Sequence, residues 1–459
     1  MSSQLDAGAS PAPPEVVNFP LYRTARRLIK DPLSELERMA RMADGRIFRL
    51  DLGASRPLVL THPDHVQQVL RRRSQDYPRA GVFWRPLRSL MGDSILAEGP
   101  EWELSKRVLQ PVFTTRNVNA LTDRIAAAIE TAIAPLDEIA RAGRPIRVFG
   151  EMNRIVNETV IAVLFGGKIS PADAQRLIPA MDSVATSIAF RFLLPFVPRA
   201  IPLPGDRAFK RAVAVMDATL FGLVRRYRDE PGAGHDIFTA LCRARTAAGS
   251  GLTDRWIRDN LLAMFATSTE TTIVALTWVW PLLDARPDVA ARLHDELDRV
   301  VGDGRVRPDH LPKLEYLDRV VKELLRLFPV GWIFPRLAER PDVIGGVPIK
   351  AGQTVLVSPY LTHRLESVWP RALEFEPDRF APERAADVHR YAYVPFGAGP
   401  HQCIGRHVFT VEAQLILANL LRRFRPRIVT DGPIQPKIGA TIRPRQDFEM
   451  TLTPVGTAR

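Results

Sequence analysis

A long, sparsely charged stretch near the middle of the chain, from about Asp254 to Leu283, constrains the fold more than any other feature. As a single α-helix of roughly thirty residues it would be about 45 Å long, which is the width of a domain. The stretch is apolar around most of the circumference of such a helix, so we expect it to be buried on several sides.

Helical periodicity recurs elsewhere along the chain. Apolar residues at three- and four-residue spacing predict amphipathic helices over the ranges 121–141, 152–164 and 207–228. A further helix is predicted from about residue 405 to residue 424. Helical stretches therefore far outnumber strands.

Strand patterns lie towards both ends of the chain. They predict a hairpin within 46–61, a turn at Gly345-Gly346 inside 342–349, and a strand over 354–357. No internal repeat separates these elements. We therefore predict a mainly α fold, a single large helical domain with small antiparallel β-sheets over residues 21–459. A flexible Pro-rich N-terminus is predicted over residues 1–20.

Composition excludes several classes of site. Cys242 and Cys403 are the two cysteines among the 459 residues, which excludes a disulfide scaffold, a four-cysteine zinc site and a four-cysteine iron–sulfur cluster. The first residues lack a charged segment followed by an apolar one, and no window reaches about 18 consecutive apolar residues. We therefore expect a cytoplasmic protein without a membrane anchor.

The net charge of 63 − 51 = +12 raises the question of nucleic-acid binding. The basic residues are dispersed, and no nucleic-acid-binding signature is present. The charge is therefore interpreted as a solvated basic surface rather than a nucleic-acid interface. An acidic protein partner is the alternative.

The segment from Tyr393 to Gly405 contains the residue with the strongest chemical potential, Cys403. Glycines at 397, 399 and 405 permit a tight loop with close backbone approach. The thiol would lie just before the last helix, where backbone N–H groups and the helix dipole lower a thiol pKa. Such a thiolate serves as a nucleophile or as a ligand to a soft metal centre such as haem iron. The alternative is a buried, unreactive cysteine.

This segment closely resembles the haem-binding loop of the cytochrome P-450 family of haem-thiolate monooxygenases. The matching residues are Phe396, Gly399, His401, Cys403 and Gly405. The resemblance implies that Cys403 is the proximal axial ligand of haem b (iron protoporphyrin IX). It further implies that the haem propionates are held by Trp102, Lys106, Arg336 and His401. Lys106 stands where the family usually has Arg, so a point charge replaces a bidentate fork.

A second matching pattern is Glu323-Leu324-Leu325-Arg326, followed downstream by Phe375 to Phe380. The resemblance implies a structural cluster of Glu323, Arg326 and Arg379 that fixes the loop below the haem through charge-assisted hydrogen bonds. Without that context, Glu323 and Arg326 would be interpreted as a weak surface ion pair.

A third pattern lies in the central helix, where Glu270 and Thr271 resemble the family's acid–threonine pair. The implied roles are proton relay by the carboxylate and hydrogen bonding to iron-bound oxygen by the hydroxyl. Thr267-Ser268 replaces the usual Ala-Gly. A structural alternative is that these hydroxyls bond back to carbonyls four residues earlier and merely bend the helix.

The resemblance also implies a substrate pocket and a redox partner. The pocket residues are predicted to be Val82, Phe83, Phe265, Ala266, Val330, Trp332 and Ile333. These are apolar or aromatic, which favours a small hydrophobic substrate, with a terpenoid-like metabolite first and a fatty acid second because Arg85 and Arg88 could reach a carboxylate. Electrons for O2 would come from a separate acidic ferredoxin that docks on the basic proximal face, predicted from Lys106, Arg107, Arg406 and Arg422.

Three other functional classes were considered. A non-catalytic haem sensor would not need the Glu270–Thr271 pair. A peroxide-driven or isomerising member of the same fold would form product without a reductase. A zinc or cysteine hydrolase lacks both the ligand spacing and a base partner for the cysteine.

Overall fold

The computed structural model describes residues 16–53, 55–194, 197–198, 200–231, 236–245 and 249–456. The α-helices within these ranges are α1 (Leu21–Lys30), α2 (Pro32–Ala43), α3 (Pro63–Gln67), α4 (Arg85–Met91), α5 (Pro100–Leu109), α6 (Thr115–Ile133), α7 (Leu136–Arg141), α8 (Val148–Phe165), α9 (Pro171–Leu193), α10 (Asp206–Asp229), α11 (Ile237–Arg243), α12 (Asp254–Asp284), α13 (Pro287–Val301), α14 (Glu315–Leu327), α15 (Pro359–Thr362), α16 (Pro382–Ala385) and α17 (Arg406–Arg423). The predicted mainly α class is confirmed.

Short strands form four small sheets among the described residues. They are β1 (Val17–Phe19), β2 (Phe48–Leu50), β3 (Leu58–Leu60), β4 (Ile146–Arg147), β5 (Phe334–Leu337), β6 (Asp342–Ile344), β7 (Val347–Ile349), β8 (Thr354–Val357), β9 (Phe424–Ile428), β10 (Pro436–Ile438), β11 (Ile442–Pro444) and β12 (Glu449–Pro454). The sheet orders are β1-β2-β3-β8-β5, β4-β12-β9, β6-β7 and β10-β11. The three smaller sheets are antiparallel as predicted.

The five-stranded sheet differs from the prediction in its pairing. β1 with β2 and β3 with β8 are parallel pairs. Helices α1 and α2 connect β1 to β2, whereas β3 and β8 come from distant parts of the chain. The pairing of Val17 with Phe48 also places β1 in the sheet. The fold therefore includes part of the segment 1–20 that we predicted to be flexible, while residues 1–15 of it lie outside the described residues.

Helix boundaries follow local signals in the sequence. The predicted helix over 121–141 is divided into α6 and α7 at Pro135, since proline cannot donate the backbone hydrogen bond that continues a helix. The predicted ranges 152–164 and 207–228 lie within α8 and α10. Helix α12 begins with Thr253, whose side chain accepts a hydrogen bond from the backbone N–H of Trp256.

Helix α12 is the central buried helix that the sequence predicts. It has 31 residues and packs against α8, α10 and α17. It is long and apolar enough to cross a membrane, but 78% of its most apolar window is buried inside the protein. Between residues 256 and 280, all of which the structure describes, the four with accessible surface are Thr267, Ser268, Glu270 and Thr271. The middle of this helix therefore exposes one polar patch.

Helices α12 and α17 meet at a buried carboxyl group. Glu412 is 4% exposed, and its Oε2 accepts a hydrogen bond of 3.3 Å from the Thr272 hydroxyl. Its other oxygen, Oε1, has no hydrogen-bond partner among the described residues. Burial raises the pKa of Glu412 to about 8, although the Thr272 hydrogen bond opposes the shift. Glu412 is therefore a neutral acid at pH 7.

Replacing Glu412 with Gln tests this assignment. The unfolded chain loses the Glu412 proton near its ordinary pKa, while the folded protein keeps it up to about pH 8. This raised pKa makes folding less favourable as pH rises, by about 2 kcal/mol between pH 6 and pH 8. Glu412→Gln should lack this slope, so urea unfolding should show the variant gaining stability relative to the wild type as pH rises. Equal pH slopes in the two proteins would contradict the assignment.

Candidate active site

The Cys403 loop is held by close backbone packing. Gly397 and Gly399 have φ angles of +67° and +70°, which favour glycine. A Cβ at Gly399 would lie 1.9 Å from the carbonyl oxygen of Leu70, in the π-helix Gln68–Arg72, so a side chain cannot be accommodated. The backbone N–H of Cys403 donates to the Phe396 carbonyl at 2.9 Å. The backbone conformation of the loop is therefore fixed by its packing and by this hydrogen bond.

The Cys403 side chain is accessible and at the same time enclosed. It retains exposed surface, yet burial raises the pKa of its thiol, while backbone N–H groups of Gly405 and Arg406 and the Arg406 charge lower it. The net direction is upward, so the lowering that we predicted from the helix terminus is wrong for the free thiol. Cys403 therefore keeps accessible surface although protein atoms surround its thiol. The N–H groups beside the sulfur suit a thiolate that is bound to a metal.

Basic side chains collect beside this loop around a single carboxylate. Glu98 accepts from the Arg79 backbone N–H at 2.6 Å and lies 2.9 Å from His401 Nε2. Burial alone would raise the Glu98 pKa, but His401 and Arg79 outweigh it and lower the pKa to about 2. Burial lowers the pKa of His401, and Arg79 adds to this effect, although Glu98 opposes it.

The cluster has more buried cations than anions. Arg336 is 7% exposed, and burial together with the Arg79 charge lowers its pKa to about 9 despite Glu98. Its guanidinium donates to the carbonyl oxygen of Pro335. The Nε of Arg79 is buried and has no hydrogen-bond partner among the described residues. Because these buried cations share a single carboxylate, their positive charge is only partly balanced and they can bind further anionic groups.

Trp102 and Lys106 of α5 complete this side of the site. The Trp102 and His401 ring centroids are 4.2 Å apart. Lys106 Nζ lies 4.9 Å from the Trp102 ring and donates to the Pro400 carbonyl at 2.8 Å. The structure thus brings together the four residues that we predicted to hold the propionates, with the Lys106 ammonium bonded to the loop itself.

These observations fit a haem. The thiol of Cys403 would suit a ligand to haem iron, and the excess of buried positive charge would suit two propionates. Arg79 and Glu98 belong to this group although sequence reasoning missed them. The cation of Arg79 in Tyr77-Pro78-Arg79 was visible in the sequence, but no motif marked it.

Glu323, Arg326 and Arg379 are in contact and almost fully buried. Arg326 Nε and Nη2 donate to the two Glu323 oxygens at 2.7 and 2.8 Å, and Arg379 Nε donates to Glu323 Oε1 at 3.2 Å. Arg326 also donates to the carbonyls of His363, Ala372 and Glu374. One carboxylate thereby joins α14 to the segment 363–379.

A histidine connects this cluster to the cysteine loop. His363 Nδ1 lies 3.1 Å from the Arg326 carbonyl oxygen, and His363 Nε2 accepts from the backbone N–H of Val394 at 3.0 Å. Burial lowers the His363 pKa to about 3, so the ring is neutral. The ring therefore bridges α14 and the start of the loop that carries Cys403.

On α12, Glu270 and Thr271 point to different partners. The Thr271 hydroxyl donates to the Thr267 carbonyl at 2.5 Å, which is the back-bonding alternative noted above. The Glu270 carboxylate accepts from the Thr441 hydroxyl at 2.7 Å and from Arg443 Nε at 2.8 Å. The adjacent acid and threonine therefore do not bond to each other in this structure. Arg443 was not predicted from the sequence.

The predicted pocket residues divide between two apolar cores. Phe265, Ala266 and Val330 belong to the main core, whereas Phe83 and Trp332 belong to a second core that Val82 and Ile333 pack against. Phe265 is 1% exposed and packs within the main core. Its assignment to the pocket wall stays a prediction. The accessible patch lies at Thr267, Ser268 and Thr271.

The family model for cytochrome P450 matches residues 10–451. The chain belongs to the cytochrome P-450 family. Pentalenene oxygenase of Streptomyces avermitilis is 28% identical over 97% of this chain and 97% of the relative. Cyclooctatin synthase of Streptomyces melanosporofaciens is 32% identical over 95% of this chain and 93% of the relative.

Solved structures agree with this assignment. The haem domain of cytochrome P450DA has a TM-score of 0.83 and 25% identity, covering 96% of this chain and 97% of the other.

Cyclooctat-9-en-7-ol 5-monooxygenase of Streptomyces melanosporofaciens is 31% identical over 90% of this chain and 89% of the relative. This cytochrome P-450 is a monooxygenase, and its family carries a haem-thiolate cofactor.

The buried carboxylate of Glu323 should be essential for folding of this cytochrome P-450. Glu323→Gln leaves the buried Arg326 guanidinium without its counter-ion and leaves Arg379 with Glu376 alone. Breaking a buried pair typically costs about 3–5 kcal/mol. The matched control is Glu158→Gln, because Glu158 is 46% exposed and pairs with Arg154 at 3.1 Å. Loss of that exposed pair should cost less than about 0.5 kcal/mol. Urea unfolding measures both, and equal effects would contradict a structural role for Glu323.

Proposed function

We propose that this chain inserts one oxygen atom of O2 into a small hydrophobic, terpenoid-like substrate, using electrons from a separate ferredoxin and its reductase. The observation that carries this proposal is that Cys403 and the polar patch of α12 both keep accessible surface, although most of the residues around the patch on α12 are buried. A monooxygenase needs a ligand on one side of its cofactor and proton-handling groups on the other.

On the proximal side, Cys403 would bind the iron of haem b. Trp102, Lys106, Arg336 and His401 would hold the propionates, together with Arg79. The bound haem would supply O2 activation, with electron density from the thiolate favouring O–O cleavage. Glu323, Arg326 and Arg379 contribute by fixing the loop rather than by touching the cofactor.

On the distal side, Thr271 presents a hydroxyl and Glu270 a carboxylate. Thr271 would hold a hydrogen bond to bound oxygen, and Glu270 would pass protons from solvent. Ser268 adds a hydroxyl to the same accessible patch, where the family usually has glycine. This arrangement favours an oxygenase over a haem sensor, which needs no proton donor.

The apolar predicted pocket supports an uncharged substrate. Val82, Ile333 and Trp332 are apolar or aromatic, and Arg85 and Arg88 of α4 are exposed. Arg88 lies 3.9 Å from Asp93 and is 70% exposed, so it is not enclosed as a carboxylate anchor would be. The names of the Streptomyces relatives, pentalenene oxygenase and cyclooctatin synthase, support a terpenoid. A fatty acid is the competing outcome of the test.

A basic surface near Cys403 supports an acidic electron donor. Arg107 and Arg406 are exposed beside the cysteine loop. Arg422, which we also predicted from the sequence, is partly exposed, donates to the carbonyl of Gly302 and lies 3.3 Å from Asp303. We further propose a cytoplasmic location, in which such a donor would be available.

A substrate-binding spectral screen distinguishes the two substrate classes. Ligands that displace the iron-bound water change the spin state of the iron. Cyclic terpene hydrocarbons should bind at least about tenfold more tightly than dodecanoic acid, as judged by this spectral change, because Arg85 and Arg88 are exposed rather than enclosed around a carboxylate. Arg85→Gln with Arg88→Gln should leave terpene binding unchanged. A spectral change with the fatty acid alone, lost in this double variant, would reverse the substrate assignment.

Ionic strength tests the electron donor. The rate of iron reduction by an acidic ferredoxin should fall as salt rises, because opposite charges steer the encounter. Arg107→Gln should slow reduction roughly two- to fivefold at low salt. Arg56→Gln, a change of the same charge in the β2–β3 turn, should leave the rate unchanged. Reduction rates that do not depend on salt would contradict the proposal.

A further inference from the structure

The β10–β11 hairpin, Pro436–Pro444, binds the carboxylate of Glu270 with side chains from both its tip and its second strand. Thr441 Oγ1 donates to Glu270 Oε1 at 2.7 Å, and Arg443 Nε donates to the same oxygen at 2.8 Å. The Arg443 Nη2 donates to the other oxygen. A guanidinium fork combined with a hydroxyl fixes both the position and the plane of a carboxylate.

The hairpin is itself anchored to the interior by two tryptophans. Trp332 Nε1 donates to the Gly439 carbonyl at 3.0 Å, and Trp278 Nε1 donates to the Ile442 carbonyl at 2.7 Å. Ile442 is 1% exposed in the second apolar core. The hairpin therefore cannot shift without breaking buried hydrogen bonds, and Trp332 is one of the predicted pocket residues.

Arg443 is directed towards Glu270 by its other neighbours. Its guanidinium carbon lies 5.0 Å from the centre of the Phe149 ring on α8. Asp182 on α9 is close enough for its pKa to be lowered by Arg443 and raised by Glu270, although burial is the larger effect and raises it. The carboxylate paired with Arg443 among the described residues is that of Glu270. The three helices thus surround one ion pair.

Helix α12 alone does not orient Glu270 relative to Thr271. The Thr271 hydroxyl is bonded to the Thr267 carbonyl, and the Glu270 side chain is about 29% exposed with several rotatable bonds. Without external donors such a side chain samples several rotamers, which lowers the fraction of time in a geometry that passes a proton.

We infer that Arg443 is the positioning residue for Glu270, with Thr441 as its second contact, and that the hairpin links the substrate pocket to the proton route. The inference rests on the proposed oxygenase function. Trp332 donates to the Gly439 carbonyl of this hairpin, and Thr441 and Arg443 of the same hairpin bind Glu270. A substrate that contacts Trp332 would therefore act on the hairpin that holds the Glu270 carboxylate. Arg443 acts through Glu270, because its guanidinium holds the Glu270 carboxylate.

The test compares Arg443→Gln with Arg445→Gln in the haem-loaded enzyme. Arg445 carries the same charge just beyond the hairpin, but it is exposed and its charge acts on Asp31 instead. Arg443→Gln should lower the ratio of product to peroxide about five- to tenfold, enlarge the solvent deuterium isotope effect on product formation, and change KM less than twofold. Arg443→Lys should give an intermediate ratio because an ammonium keeps the charge and loses the fork. Thr441→Val should lower the ratio less than Arg443→Gln.

A readout independent of turnover is hydrogen exchange over residues 436–445. Glu270→Gln and Arg443→Gln should both speed exchange in this segment, while Arg445→Gln should not. Faster exchange in neither variant would show that the ion pair does not hold the hairpin and would overturn the inference.

The kinetic outcomes distinguish failure of this inference from failure of the proposed function on which it rests. Arg443→Gln and Arg445→Gln could give the same product-to-peroxide ratio while Thr271→Ala raises peroxide. That result would overturn the role of Arg443 and leave the proposed function standing. If Thr271→Ala also leaves the ratio unchanged, the proposed acid–threonine function fails and the inference falls with it. If Arg443→Gln loses the carbon-monoxide spectrum of the bound iron, Thr441→Val decides, and an unchanged ratio in that variant would count against the inference.

Discussion

The carboxylate of Glu323 is the point on which the proximal half of the molecule depends. It has no exposed surface and accepts hydrogen bonds from Arg326 and Arg379 and from the Glu376 backbone. Taking charges out of water is costly, so this cluster persists because nearly every donor and acceptor in it is matched. Through His363 it reaches Val394 and hence the loop of Cys403. The position of the sulfur is thus set by hydrogen bonds as well as by packing.

The distal half depends on a different constraint, the burial of α12. A mostly buried helix can exchange protons with water only where its side chains keep accessible surface. On α12 that place is the patch of Thr267, Ser268, Glu270 and Thr271. Adjacent residues on a helix point about 100° apart. Glu270 therefore reaches the β10–β11 hairpin while the Thr271 hydroxyl bonds to its own helix. In the proposed function, proton supply and oxygen contact would then lie in two different directions.

Sequence reasoning found the residues whose motifs are local. The loop of Cys403, the Glu323–Arg326 spacing and the periodicity of α12 all lie within short windows, so periodicity or resemblance to the family's motifs reveals them. Arg443 is bonded to an acid 173 residues away, and nothing in its own segment marks it. The Cys403 pKa was predicted in the wrong direction because the helix terminus is visible in sequence whereas the extent of burial is not. The parallel pairing of β3 with β8 was not predicted, because these strands come from distant segments.

The central claim is that the Cys403 sulfur binds porphyrin iron. The most direct measurement is the absorption spectrum of purified, reduced protein under carbon monoxide, compared with that of Cys403→Ser. The wild type should show the red-shifted band of thiolate-ligated iron, and the variant should lack it. A haem-loaded wild type without that band, or a variant that retains it, would contradict the account.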